Sequence, residues 1–141
     1  MTRSNIDNPD RPSRQYRYIS AALAFVTWGG WAYFINVRSA TIDDAPPIVS
    51  ALMHGTASCI VTLLMLRSVT FLYHRLAGHP LRLVLPAIIT TTVTGSCFLT
   101  AHWWIGTADL LATIAPGLIV ALGFNTLTAC KLRAQRQAHS V

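Results

Sequence analysis

Leu83 to Trp104 reads LVLPAIITTTVTGSCFLTAHWW, 22 residues without a charged side chain. At about 1.5 Å per residue a helix of this length reaches about 33 Å, enough to cross a bilayer core of about 30 Å. The stretch also carries Thr90, Thr91, Thr92, Thr94, Ser96, Cys97, Thr100 and His102, with Gly95 near its middle. So many hydroxyls are disfavoured facing lipid on every side. The expectation is a membrane helix pressed against protein neighbours.

The rest of the chain agrees with a membrane protein. Of 141 residues, 52% are hydrophobic and 11% charged, and the mean hydropathy is +0.45. A soluble domain carries roughly 25% charged residues. The net charge of +6 raises nucleic acid as a partner for a soluble chain, but here the placement of the charges accounts for it and no nucleic acid is expected. Glutamate is absent, and the five acids are Asp7, Asp10, Asp43, Asp44 and Asp109, none inside an apolar run. That excludes paired buried carboxylates, carboxylate metal cages and intramembrane carboxylate relays. An enzyme, a resident cofactor and a metal centre are therefore not expected. Cys59, Cys97 and Cys130 are odd in number and form no Cys-x-x-Cys. They read as small apolar residues in helix contacts.

In chain order, residues 1–15 are expected to be a disordered cytoplasmic tail, since they are polar and contain Pro9 and Pro12. A signal peptide competes with this, but the apolar run that follows is too long for a signal core, and an uncleaved anchor is expected. A membrane domain over 16–131 follows, with helices at about 18–37, 48–66, 83–104 and 110–130, then a basic cytoplasmic tail at 132–141. Helix 1 is expected to pack through Ala22, Val26, Gly29, Tyr33 and Asn36. Helix 2 shows a small and polar stripe of Ala51, His54, Gly55, Ser58 and Thr62, and its apolar pattern runs on through Val69, Leu72 and Leu76. Helix 4 has Gly117, Ala121, Asn125 and Thr128 on one face, and Pro116 inside it is expected to bend it. Thr107 or Asp109 is the expected N-cap of helix 4.

Ten of the 11 Lys and Arg lie before helix 1, in the 67–82 link or after helix 4, and Arg38 alone lies on the other side. The positive-inside rule puts both termini and the middle link in the cytoplasm. The expected fold is all-α: an integral-membrane four-helix bundle, antiparallel and up-down-up-down.

His54 and His102 are the first candidates for a polar intramembrane site. A histidine at membrane depth faces protein or a water-filled cavity, and such a pair can hold a metal or haem, hand on a proton, or only bond a neighbouring helix. Asn125 joins them as a candidate, its alternative role being an interhelical hydrogen bond. The hydroxyl run from Thr90 to Thr100 either lines a polar path or bonds back to the helix. His74 and His79 read as solvated surface. Arg14, Arg17, Arg67, Arg75, Arg82, Lys131 and Arg133 are candidate contacts for anionic lipid headgroups, each worth about 1 kcal/mol near the membrane surface.

Three segments carry a resemblance. They are Trp28-Gly29-Gly30-Trp31-Ala32 with Asn36-Val37-Arg38, Met53-His54-Gly55 leading to Ser58 and Thr62-Leu63, and Gly106-Thr107-Ala108-Asp109 leading to Thr113-Ile114-Ala115-Pro116. In these the chain resembles small four-span bacterial inner-membrane proteins, which implies topology and no mechanism. Small multidrug transporters are similar in size but use a glutamate in the first span. Quinone-linked disulfide oxidases need paired outward cysteines. Neither requirement is met.

The functional expectation is a non-enzymatic accessory or scaffolding subunit of a membrane complex in the bacterial inner membrane. The alternatives are a small homo-oligomeric transporter of a small or lipid-like molecule and, behind it, a haem- or quinone-binding protein. Expected partners are membrane lipids, further copies of the chain, or a larger complex.

Overall fold

The computed structural model describes residues 14–138. These form four helices and no strand: α1 (Arg14–Ser39), α2 (Pro47–Arg75), α3 (Leu85–Ile105) and α4 (Leu110–Ala138). Three segments are long and apolar enough to cross a membrane: Gln15–Ser39, Pro47–Arg75 and Leu110–Gln135. The helix within the 83–104 stretch is not among them. Its threonines, Ser96 and His102 lower its hydropathy although it has no charge.

Three boundaries move outward from the expected ones, each for a local reason. Arg14 and Gln15 belong to the first turn of α1 rather than to a tail, and the remainder of the expected 1–15 segment lies outside the described residues. α2 continues nine residues past Leu66 because Val69 and Tyr73 are buried there against Ala129. α4 continues to Ala138 rather than ending at Cys130. Leu132 packs on that same cluster, and Lys131 to Gln135 are good helix formers. Thus 132–138 is helix, and only the last three residues of the expected tail fall outside the description.

The interior is made of small and polar side chains. Ala21, Ala32, Ala51, Ala87, Ala121 and Ala129 are buried, as are Asn36, Ser50, His54, His102, Thr113 and Asn125. Leu23, Leu52, Ile60, Val93, Leu111 and Ile119 face outward. A soluble core has the reverse order. Membrane helices pack through small residues and let large apolar ones meet lipid.

Glycine sets the closest approach. A Cβ on Gly55 would stand 2.9 Å from the Phe25 carbonyl oxygen, and one on Gly29 would stand 3.0 Å from that of Ala51. α1 and α2 therefore touch backbone to backbone. The buried face of α1 is Ala21, Gly29, Ala32 and Asn36. This corrects the expected face, because Ala22, Val26 and Tyr33 are exposed. The expected stripes of α2 and α4 do face inward, with Thr62 and Gly117 half-buried at their margins.

α1 and α4 are joined through the gap that Pro116 opens. Proline has no N–H for the carbonyl four residues back, here that of Ala112. The Trp31 indole N–H donates to that carbonyl at 3.0 Å. One turn on, Asn36 Nδ2 donates to Thr113 Oγ1 at 2.9 Å, and the Asp109 N–H donates to Asn36 Oδ1 at 3.2 Å. α4 passes through Pro116 without interruption.

The α1–α2 connection closes on itself. The Thr41 N–H and hydroxyl donate to Asp44 Oδ2 at 2.8 and 2.7 Å. The Thr41 hydroxyl first, then its N–H, hold the Asp44 carboxyl below its ordinary value. This loop also meets the α3–α4 turn, where the Ala45 N–H donates to the Gly106 carbonyl at 2.9 Å.

Candidate functional site

α3 ends on Gly106 in the left-handed conformation (φ 72°), which an L side chain rarely adopts. The Gly106 N–H returns to the Trp103 carbonyl and the Thr107 N–H to that of His102, at 3.1 and 3.0 Å. This reversal turns Thr107 back over the helix that has just ended. Its Oγ1 lies 2.7 Å from His102 Nδ1 and 3.1 Å from Ser50 Oγ of α2. His102 Nε2 in turn lies 2.7 Å from His54 Nδ1. The result is a buried chain of four groups: His54, His102, Thr107 and Ser50.

His54 and His102, expected as candidates, are thus brought into direct contact across 48 residues of sequence. Phe98 packs against His54 with ring centroids 4.7 Å apart. Of the two expected caps, Thr107 and Asp109, Asp109 takes the role, its Oδ1 accepting the Ala112 N–H at 3.1 Å. Ser50 was not singled out from the sequence at all. A serine in the first turn of a helix carries no signal for a partner 57 residues away.

Asn125 does not join this site. Its Nδ2 donates to Thr91 Oγ1 at 3.1 Å. Thr91 lies 11 residues before His102 on α3, about 16 Å along the axis. Asn125 Oδ1 and Thr90 Oγ1 are buried without a hydrogen-bond partner. The hydroxyl run divides by face. Thr90 points inward, while Thr92, Ser96 and Thr100 are exposed, and the Thr100 hydroxyl bonds back to the Ser96 carbonyl at 2.9 Å. Of the two expected readings of this run, the bond back to the helix is the one seen at Thr100.

His54 also lines a partly open cavity of about 690 Å³ to which all four helices contribute residues. Trp28, Phe98 and Ile114 surround it at the histidine end; Val61, Leu118 and Ala121 form walls; Tyr16, Arg17, Ser20 and Arg67 line it as well. The volume is within the roughly 300–1,000 Å³ usual for small-molecule sites.

The candidate lipid-contacting cations separate in the same way. Arg17 and Arg67 line the cavity. Arg82 donates to Tyr73 Oη at 2.8 Å and, with Arg133, borders a second hollow of about 560 Å³ beside Gly78 and His79. Arg75 and Lys131 line neither. Arg14, also expected as a lipid contact, lies outside the described side chains. Among the described residues no three of His, Cys, Asp and Glu gather where a metal ion would sit.

No family model matches the chain, and no curated protein or solved structure matches it either.

Proposed function

We propose that this chain is a non-enzymatic four-span protein of a bacterial inner membrane that holds a lipid-like molecule in its interior, as a small carrier. The cavity beside His54 is the observation that carries this reading. Its lining is mainly apolar and it lies between helices built for a bilayer. α3 is the fourth span in this reading, being 21 uncharged residues long, about 32 Å. The ten-to-one division of basic residues supports cytoplasmic termini and an antiparallel, up-down-up-down bundle. The bond between Ala45 and Gly106 is consistent with it, since it joins the two connections that this topology puts on the outer side.

Native mass spectrometry from lipid nanodiscs tests the reading. Wild type is expected to retain a lipid-like mass that Ala121→Phe, which fills the cavity, loses. Gly123→Leu is the control, because a Cβ there meets nothing within 4 Å. A bare chain in all three would overturn the proposal.

The accessory-subunit reading is favoured by one separate observation, the exposed Thr92, Ser96 and Thr100 stripe on α3. Hydroxyls at that spacing form an outward face suited to another membrane helix. Cysteine crosslinking from Ser96 in whole cells, giving a discrete adduct, is the expected outcome of that reading.

A further inference from the structure

The cavity is chemically polarised along its length. With the cavity taken as the lipid-binding site proposed above, its two ends suit two different parts of a ligand. One end is lined by Tyr16, Arg17, Ser20 and Arg67, the other by Trp28 and His54. Arg17 and Trp28 are 11 residues apart on α1, and Arg67 and His54 are 13 apart on α2. At the helical rise these separations are about 16 and 20 Å. One leaflet of a bilayer core is about 15 Å deep, so the two ends are one acyl chain apart.

Among the described residues the cationic end holds no counter-charge. Neither Arg17 nor Arg67 has an acidic partner among the described residues. A guanidinium matches a phosphate or carboxylate with two parallel N–H bonds, and gains most where apolar walls exclude water. The remaining rim cations do not share this position. Arg82 is already engaged by Tyr73, and Arg75, Lys131 and Arg133 do not line the cavity.

We infer that the cavity binds a single-chain amphiphile with an anionic headgroup. The phosphate or carboxylate sits between Arg17 and Arg67. The apolar chain runs inward and ends beside Trp28 and His54. Two chains would overfill a site of this size, which is that of one small ligand.

Trp28 provides the test, since it lines the far end of the cavity. The protein is placed in zwitterionic nanodiscs with Trp103→Phe and Trp104→Phe, which removes the two indoles most exposed to lipid. The same protein with Trp28→Phe supplies the background. The probes are lysophosphatidylglycerol, lysophosphatidylcholine and a free fatty acid, each with a bromine-labelled chain. The expected result is saturable quenching of Trp28 by the two anionic probes, strongest with bromine far from the headgroup. Arg17→Gln with Arg67→Gln is expected to weaken it about 30-fold, and Arg38→Gln to leave it unchanged. Binding by only one anionic probe supports the proposal and chooses between phosphate and carboxylate. Equal affinity for the choline-headed probe overturns the headgroup assignment and leaves the cavity reading standing. That comparison needs no arginine variant, so it holds even where the double variant fails to fold. Absence of saturable quenching by any probe overturns both.

Discussion

At the scale of single residues, Thr107 holds the buried chain together, because its one hydroxyl serves both His102 and Ser50. Thr107→Val keeps the shape and removes both bonds. It leaves two buried polar groups unpaired, so a loss of about 1–3 kcal/mol is expected in thermal unfolding in detergent. Thr107→Ser is expected to restore most of it. Asp44 gives a pH prediction of known sign. Its carboxyl titrates lower when folded than when free, so its contribution is present above the ordinary carboxylate value, about 4, and fades as pH falls through the lowered one. Loop protection in hydrogen exchange should drop on acidification in wild type and be already low in Asp44→Asn. These residues also mark how far the chain can be read. His54 and His102 stood out because imidazoles are rare in apolar helices. Their contact did not, because it is made by the packing of α2 on α3. Asn125 carried the same signal of a polar group at depth, and packing left it with Thr91 alone. The sequence leaves the cap between Thr107 and Asp109 because either type caps a helix, and nothing local shows that Gly106 turns Thr107 backward.

At the scale of elements, the four helices were legible from apolar runs, prolines and glycines. Their ends were not. The extensions of α2 and α4 depend on one another through Val69, Tyr73, Ala129 and Leu132, and a contact between distant segments has no local signature. The face of α1 was misread because Ala, Gly, Val and Asn recur on several of its faces, and Gly29 alone lacks room for a side chain against α2. Gly55→Ala tests that contact. The new Cβ would meet the Phe25 carbonyl at 2.9 Å, and backbone cannot swing aside as a side chain does. A loss of about 1–3 kcal/mol is expected, read by thermal unfolding, against little change for Gly30→Ala, where the space is open. The bond from Trp31 to Ala112 gives a coupling prediction. Trp31→Phe should cost about 1 kcal/mol with Pro116 present and less with Pro116→Ala, which returns a helical N–H to that carbonyl.

At the scale of the whole molecule, the question is how many times the chain crosses the bilayer. Three helices qualify by hydropathy, and the fourth crossing rests on α3. Single cysteines at Ile42, Gly78 and Ala138, in a background with Cys59, Cys97 and Cys130 replaced, decide it. With four crossings and cytoplasmic termini, an impermeant maleimide labels Ile42→Cys in intact cells. It reaches Gly78→Cys and Ala138→Cys only after permeabilisation. Labelling of Ala138→Cys in intact cells would instead mean that α3 does not cross. The division of charge is what leads to the expectation of four crossings with cytoplasmic termini. The cavity was not readable, because no single helix contains it: all four contribute to its lining.

The buried chain from His54 to Ser50 has a consequence that reaches beyond its stabilising bonds. With both rings neutral, each imidazole carries a proton on one nitrogen only. If Thr107 donates to His102 Nδ1, then His102 Nε2–H donates to His54 Nδ1, and His54 is left with its Nε2–H free. If His102 donates to Thr107 instead, the bond between the two rings reverses with it and His54 keeps a bare lone pair on Nε2. For the bonds among His54, His102 and Thr107, those are the only two orderings in which every hydrogen bond has one proton. The rings therefore change tautomer together, like a row of arrows that must all point the same way. A molecule that asks for a donor or an acceptor at the His54 end of the cavity sets the orientation of a hydroxyl at the far turn, without any helix having to move.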